Sequence, residues 1–174
     1  MDAADTTVVI AIDGPAASGK STVARELARR LGYRFFNSGD LYRAMTHACL
    51  VRGADCRDNL EITVAAENAG IEIAADDMEY FPKIQGEDAR PHLRSEEINA
   101  NVSHVSALPA VRSLITEAIR ERAKGRRTVI EGRDIGSAVF PETPFKFYID
   151  ASPQVRQKRR LNQGQTEEVT RRDL

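Results

Sequence analysis

Residues 7–12, Thr-Val-Val-Ile-Ala-Ile, form an unbroken apolar run rich in β-branched side chains. That pattern predicts a strand buried in a parallel sheet. From Ser21 the period lengthens. Val23, Ala24, Leu27, Ala28 and Leu31 share one helical face, opposite Arg25, Glu26, Arg29 and Arg30. Gly32 stands where a helix end favours a left-handed residue. A short strand over 33–36, a polar turn at Asn37-Ser38-Gly39 and a helix over about 40–52 follow. Asp58 is placed to cap a helix running to about Ala69, which Gly70 stops.

Residues 71–74 and 78–84 read as two strands joined at Ala75-Asp76-Asp77, a small antiparallel flap. Helical patterns resume over about 95–104 and 109–123, the second opening with Pro109 in its first turn. Residues 128–130 and 145–149 read as two further buried strands, and a basic helix starts near Pro153. The polar stretch from Asn162 to Gln165 leads to a last short helix. Strands alternating with helices predict an α/β fold, a parallel sheet wrapped by helices. No internal repeat is visible. The expected organisation is one domain with a core over about 7–57 and 105–152, an insert over 58–104 and a lid over 153–172.

The 174 residues carry 25 basic and 26 acidic side chains, a net charge of −1. That balance gives no support to a general nucleic-acid or membrane-surface role. The longest aliphatic run, residues 8–12, is far short of the roughly 20 residues that span a bilayer. The first seven residues lack a basic start and an apolar stretch, so a cytoplasmic location without a signal peptide is expected. Cys49 and Cys56 make no disulfide framework, and His47, His92 and His104 are too scattered for a metal cluster. Reduced thiols are expected, with Cys49 half-buried on its helix. The charge is unevenly laid out: 55–111 hold 12 acids and 4 bases, whereas 112–133 hold 7 bases and 3 acids.

One motif carries chemistry. Gly14-Pro15-Ala16-Ala17-Ser18-Gly19-Lys20-Ser21 fits the phosphate-loop pattern G-x-x-x-x-G-K-[ST] at every fixed position, between a predicted strand and a predicted amphipathic helix. Glycines let the backbone wrap phosphate closely and turn N–H groups inward, and the helix N-terminus adds its positive dipole end. Residues 14–22, through Thr22, are therefore the candidate triphosphate cradle. Lys20 is suited to bridge the β- and γ-phosphates and Ser21 to ligate Mg²⁺.

A hydrolase or a GTP switch must position water and read guanine, and no Asn-Lys-x-Asp occurs in the chain. Transfer to a second anionic substrate calls for dispersed arginines and flaps that exclude water. Arg156, Arg159 and Arg160 are spaced to share one helix face. Transfer to a small acceptor is the reading these features favour. An adenylate- or shikimate-type kinase and a catalytically dead nucleotide-binding protein stand as alternatives.

Ile12-Asp13-Gly14-Pro15 through Ser21, Ser38-Gly39 with Leu41-Tyr42-Arg43, and residues 103–112 make a more specific set. Glu131-Gly132-Arg133-Asp134-Ile135-Gly136, with Val139-Phe140-Pro141 after it, and Ala151-Ser152-Pro153 complete it. Over residues 9–160 the chain resembles the bacterial cytidylate kinases, nucleoside monophosphate kinases of the phosphate-loop class. The resemblance implies ATP- and Mg²⁺-dependent phosphoryl transfer to CMP or dCMP in pyrimidine nucleotide metabolism; a monomer is the default expectation. It implies that Arg43 and Arg133 bind the acceptor phosphate, that Ser38 lies near the ribose, and that Ser103, Arg112 and Asp134 read the base. Cytosine offers an amino donor and two acceptors, which an acid with an arginine and a hydroxyl would match. Glu131 would hold Mg²⁺ or its water, and Arg156, Arg159 and Arg160 would join Lys20 in stabilising the transferring group. The family's lid is longer than residues 161–166 provide, and the family continues past Asp173 with further arginines and an acid. The sequence is thus expected to be part of a longer chain, with Arg171 and Arg172 as further acceptor-phosphate candidates.

Overall fold

The strand predicted at the start of the chain is β1 (Val8–Asp13), whose four middle residues are buried. A computed structural model describes residues 6–162 of the chain. They divide into two compact units. One takes in the described residues as far as Phe35 and from Gly125 onward, and the other is Phe36–Lys124.

In the first unit β1 lies between two parallel neighbours, β6 (Arg127–Gly132) and β7 (Phe145–Tyr148). Ala11 sits opposite Ile130 on one side and Lys146 on the other. β2 (Arg34–Asn37), of which Arg34 and Phe35 belong to this unit, follows β6 in the strand order. α1 (Lys20–Leu31) covers the sheet. Its Ala24 and Ala28 meet Ile10, Ile12, Phe35 and Val129 in one cluster, flanked by Leu27, Tyr33 and Ile149. Burying side chains such as Ile12 and Ile130 completely is worth roughly 1.5–3 kcal/mol each. Gly32 ends α1 at φ 65°, as its position in the sequence predicts. α6 (Pro153–Asn162) closes the described part.

The second unit pairs helices with a hairpin. α2 (Ser38–Val51) is capped by Asn37, whose side chain accepts from the Gly39 amide, and α3 (Asn59–Glu67) is capped by Asp58. β3 (Ile71–Ala75) and β4 (Glu79–Ile84) form the expected antiparallel flap, with Ile73 opposite Pro82. A two-residue β5 (Glu87–Asp88) extends it, and a 3₁₀ turn at Arg90–His92 leads to α4 (Glu96–Ala107) and α5 (Pro109–Ala123). Ala44, Ala89 and Leu93 pack with Ile71 and Ile84. Arg90 bonds to Asp76 and Asp88 and lies 3.8 Å over the Phe81 ring, fastening the hairpin's turn to its last strand.

Several expectations need correction. The apolar face of α1 is narrower than its pattern suggests: Val23 and Leu31 are 49% and 46% exposed, because the small Ala24 and Ala28 make the close approach. β7 is not a buried strand. Phe145 and Phe147 stay about half exposed, since its described ladder runs to β1 alone. Cys49 is fully rather than half buried, facing the Ile62 carbonyl from inside the helix packing. The residues from Gln163 onward, including the predicted last helix, lie outside the described part. Among the described residues no helix is long and apolar enough to cross a membrane.

Burial pushes the Cys49 thiol up to about 11, with Cys56 adding to the rise, and burial also raises Cys56. Both cysteines are free. The thiolate that alkylating reagents attack is then scarce at pH 8. Brief iodoacetamide treatment at pH 8 should label neither cysteine in the native protein and both in denaturant. Rapid native labelling of Cys49, read by intact mass, would contradict this packing.

Candidate active site

β1 ends in Asp13, and the ladder carries on one step, with the Ile149 amide donating to the Asp13 carbonyl at 2.8 Å. The chain then turns sharply at Gly14, φ 152°, so close to Ile149 that a Cβ there would lie 2.0 Å from its carbonyl oxygen. Only glycine fits. The following residues, Pro15 to Ser18, curl back to deliver Gly19, φ 99°, to the first turn of α1. Ser18 is buried within the curl.

Lys20 and Ser21 open α1 and face the ends of the strands. The Lys20 ammonium donates to the Pro15 carbonyl at 3.1 Å, folding back over its own loop. Burial lowers its pKa. Glu131 pulls it back up, Arg133 and Arg160 push it down, and Asp13 raises it. Ser21 Oγ donates to Glu131 Oε1 at 2.7 Å, and Glu131 is buried at the end of β6. A hydroxyl and a carboxylate in contact are the hard oxygen donors that suit Mg²⁺. Among the described residues no group of three or more His, Cys, Asp or Glu could hold a metal by itself. A cation here would share its shell with phosphate and water, as Mg²⁺ commonly does.

The three arginines of α6 make different contacts. Arg156 and Arg160, one turn apart, are buried, and Arg156 Nε donates to the Ala151 carbonyl. Arg159 is exposed, and its Nη1 donates to the Ala17 and Ser18 carbonyls at 3.1 and 2.8 Å and would touch a Cβ on Gly19. The helix is thereby tied to the loop by a charged group. Arg133, just past β6, is exposed, and Asp134 is partly buried. Asp134 opens a π-helical turn, Ile135–Val139, with its carbonyl accepting from the Ala138 and Val139 amides.

In the second unit Ser38 is buried at the start of α2 and Arg43 lies one turn further on. Arg43 Nη1 donates to the Leu93 carbonyl at 3.1 Å and to Asn99 Oδ1 at 2.6 Å. Ser103 is exposed on α4. Arg112, on α5, reaches the Ser106 carbonyl and sits 5.8 Å from the Tyr42 ring centre. Arg171 and Arg172 lie outside the described residues.

Asp13 was not among the expected site residues. Its carboxylate accepts from the Ile135 and Gly136 amides at 2.7 and 2.8 Å, fixing the turn that follows Arg133 and Asp134. A signal existed: Asp13 is the one charge ending an otherwise apolar strand, directly before the loop. The π-helical turn had no such signal.

The family described as "Cytidylate kinase" matches residues 10–173. Among curated proteins, the "Cytidylate kinase" of Mycobacterium leprae is 44% identical over 160 residues, covering 91% of this chain and 70% of that protein. That of Nocardia farcinica is 40% identical, covering 92% and 69%. That of Clostridioides difficile is 36% identical, covering 90% and 70%.

Gly14→Ala should be among the most damaging single substitutions in the chain, because the strand end and Ile149 must part to admit the methyl group. Gly32→Ala, at φ 65° in open space, carries only the backbone strain of about 1–2 kcal/mol. Thermal unfolding should show the larger loss at Gly14; equal losses would contradict the close approach.

Proposed function

The chain belongs to the cytidylate kinase family, and from that premise we propose that it passes the γ-phosphoryl group of ATP to CMP or dCMP. An oxygen of the acceptor's phosphate attacks the γ-phosphorus in line. The bond from that phosphorus to the β–γ bridging oxygen breaks, giving CDP or dCDP and ADP. The observation that carries this reading is the pairing of Ser21 with Glu131 beside Lys20, at the end of a loop shaped by Gly14 and Gly19.

In this reading the backbone N–H groups of residues 14 and 16–22 and the Lys20 ammonium hold the triphosphate. The lowered pKa of Lys20 is what a cation buried ahead of its anion should have, and a bound triphosphate would restore it. Ser21 and Glu131 would hold Mg²⁺, which when bound would neutralise charge on the phosphates. Arg156, Arg159 and Arg160 act on the transferring group. Arg159 would exchange the Ala17 and Ser18 carbonyls for phosphate oxygens, trading neutral acceptors for charged and stronger ones.

Arg43 and Arg133 take the acceptor's phosphate and Ser38 its ribose. Ser103, Arg112 and Asp134 read the base. Cytosine presents an amino donor at N4 and acceptors at N3 and O2; Asp134 supplies the acceptor, Arg112 and Ser103 the donors. Uracil reverses the first two functions and would leave a carboxylate unpaired. Asp13, holding the turn after Asp134, would keep that carboxylate in place. Nothing in this chemistry requires a partner protein, a nucleic acid or a second copy, and we propose a monomer acting on small molecules in the cytoplasm.

Lys20→Ala should lower kcat by orders of magnitude with thermal unfolding little changed. Turnover near that of the parent would contradict the proposed role. Asp134→Asn should lower kcat/KM for CMP far more than for UMP, because the amide loses the charged acceptor for cytosine's N4 amino group yet can turn its own NH2 donor toward uracil's O4. An equal loss with both acceptors would remove Asp134 from base reading.

A further inference from the structure

The guanidinium of Arg43 is not left to find its orientation when a ligand arrives. Its Nη1 donates to two neutral oxygens at once, the Leu93 carbonyl at 3.1 Å and Asn99 Oδ1 at 2.6 Å. A guanidinium is planar, and the two hydrogens on one terminal nitrogen lie in that plane. Two acceptors on a single Nη therefore fix both the plane and the in-plane rotation of the group. Of those acceptors one is backbone, present whatever the sequence. The other is a side chain that no consideration of spacing singled out.

The orientation of the Asn99 amide is set by chemistry. Its Nδ2 donates to the Arg94 carbonyl at 3.2 Å, so its oxygen must face Arg43: only the nitrogen can donate to a carbonyl, and only the oxygen can accept from a guanidinium. Arg94 is itself fixed, its Nη2 pairing with Asp40 at 2.6 Å. Asp40 and Arg43 are three residues apart on α2, so the set closes on itself: α2 to Arg94, Arg94 to Asn99, Asn99 back to α2. Asn99 is also four residues before Ser103 on α4, placing both on one helix face.

We propose that Asn99 is a positioning residue for the acceptor: it holds the Arg43 guanidinium in the plane from which it meets the acceptor's phosphate. This rests on the reading that Arg43 binds that phosphate. A neutral amide suits the task, because it fixes the geometry without itself adding a negative charge beside the arginine. A carboxylate in its place would compete with the phosphate.

Steady-state kinetics on the full chain test this. Asn99→Ala should raise KM for CMP about tenfold, the scale at which a supporting group that aims a binding group usually acts. KM for ATP should move less than twofold, because the triphosphate loop is untouched. Asn99→Asp keeps an oxygen facing Arg43, so a merely structural acceptor would be rescued; here KM for CMP should stay raised. In an Arg43→Lys background, itself raised in KM for CMP, Asn99→Ala should add less than twofold, since the group it aims is gone. An unchanged KM for CMP in Asn99→Ala, or a full tenfold effect in the Arg43→Lys background, would overturn the inference while leaving the role of Arg43 intact. An unchanged KM in Arg43→Lys alone would instead overturn the underlying reading of Arg43, and the inference with it.

Discussion

The loop depends on one close approach: the backbone of Gly14 against the carbonyl of Ile149. β1 and β7 remain paired through Asp13 and Ile149, and then the chain must leave the sheet within a single residue. With no Cβ to keep the strands apart, the turn is tight enough to bury Ser18 and to aim the first turn of α1 back along the strand ends. Ser21 reaches Glu131 because of that aim, and Lys20 reaches the Pro15 carbonyl. The same residue step serves the other side. Asp13 sends its carbonyl to Ile149 and its carboxylate to the amides of Ile135 and Gly136. The phosphate loop and the turn carrying Asp134 are thus anchored at a single strand end.

Electrostatics explains why such a site waits for an anion. Lys20 lies within electrostatic reach of Glu131 and Asp13, which favour its charge, and of Arg133 and Arg160, which oppose it, and burial sets the direction of its shift. Charges drawn together out of water cost free energy that only close partners offset. The loop carbonyls are pressed into service: Pro15 accepts from Lys20, and Ala17 and Ser18 accept from Arg159. These are the weaker, neutral acceptors. A triphosphate offers the same donors charged oxygens in place of dipoles, and binding to it gains from every substitution of one for the other.

The sequence made some parts of this plain and hid others for physical reasons. β1, α1 and the loop between them were legible because each uses local rules: a continuous apolar run, a 3.6-residue period, and glycines at set spacing. The flap and α5 followed from turn residues and Pro109 in the same way. Exposure was harder to read. A stretch such as 145–149 is apolar in either setting, and composition does not say how many neighbours a strand will have, so β7 looked buried and is not. The narrow contact of α1 was hidden because alanine packs more closely than its hydrophobicity implies. The π-helical turn and the partners of Arg43 depend on residues far apart in the chain. Arg43 and Asn99 are 56 positions apart, beyond any periodicity. The acceptor-side residues and Glu131 came from a family resemblance over most of the chain, which spacing alone would not have assigned.

Transfer of phosphate from ATP to a cytidine monophosphate is the reaction that the site's residues would together serve. Release of ADP from ATP and Mg²⁺, measured with CMP, dCMP, UMP, AMP and shikimate supplied separately, tests it most directly. Release should be rapid with CMP or dCMP and slight with the others. Release driven equally by UMP or AMP, or by no acceptor at all, would contradict it.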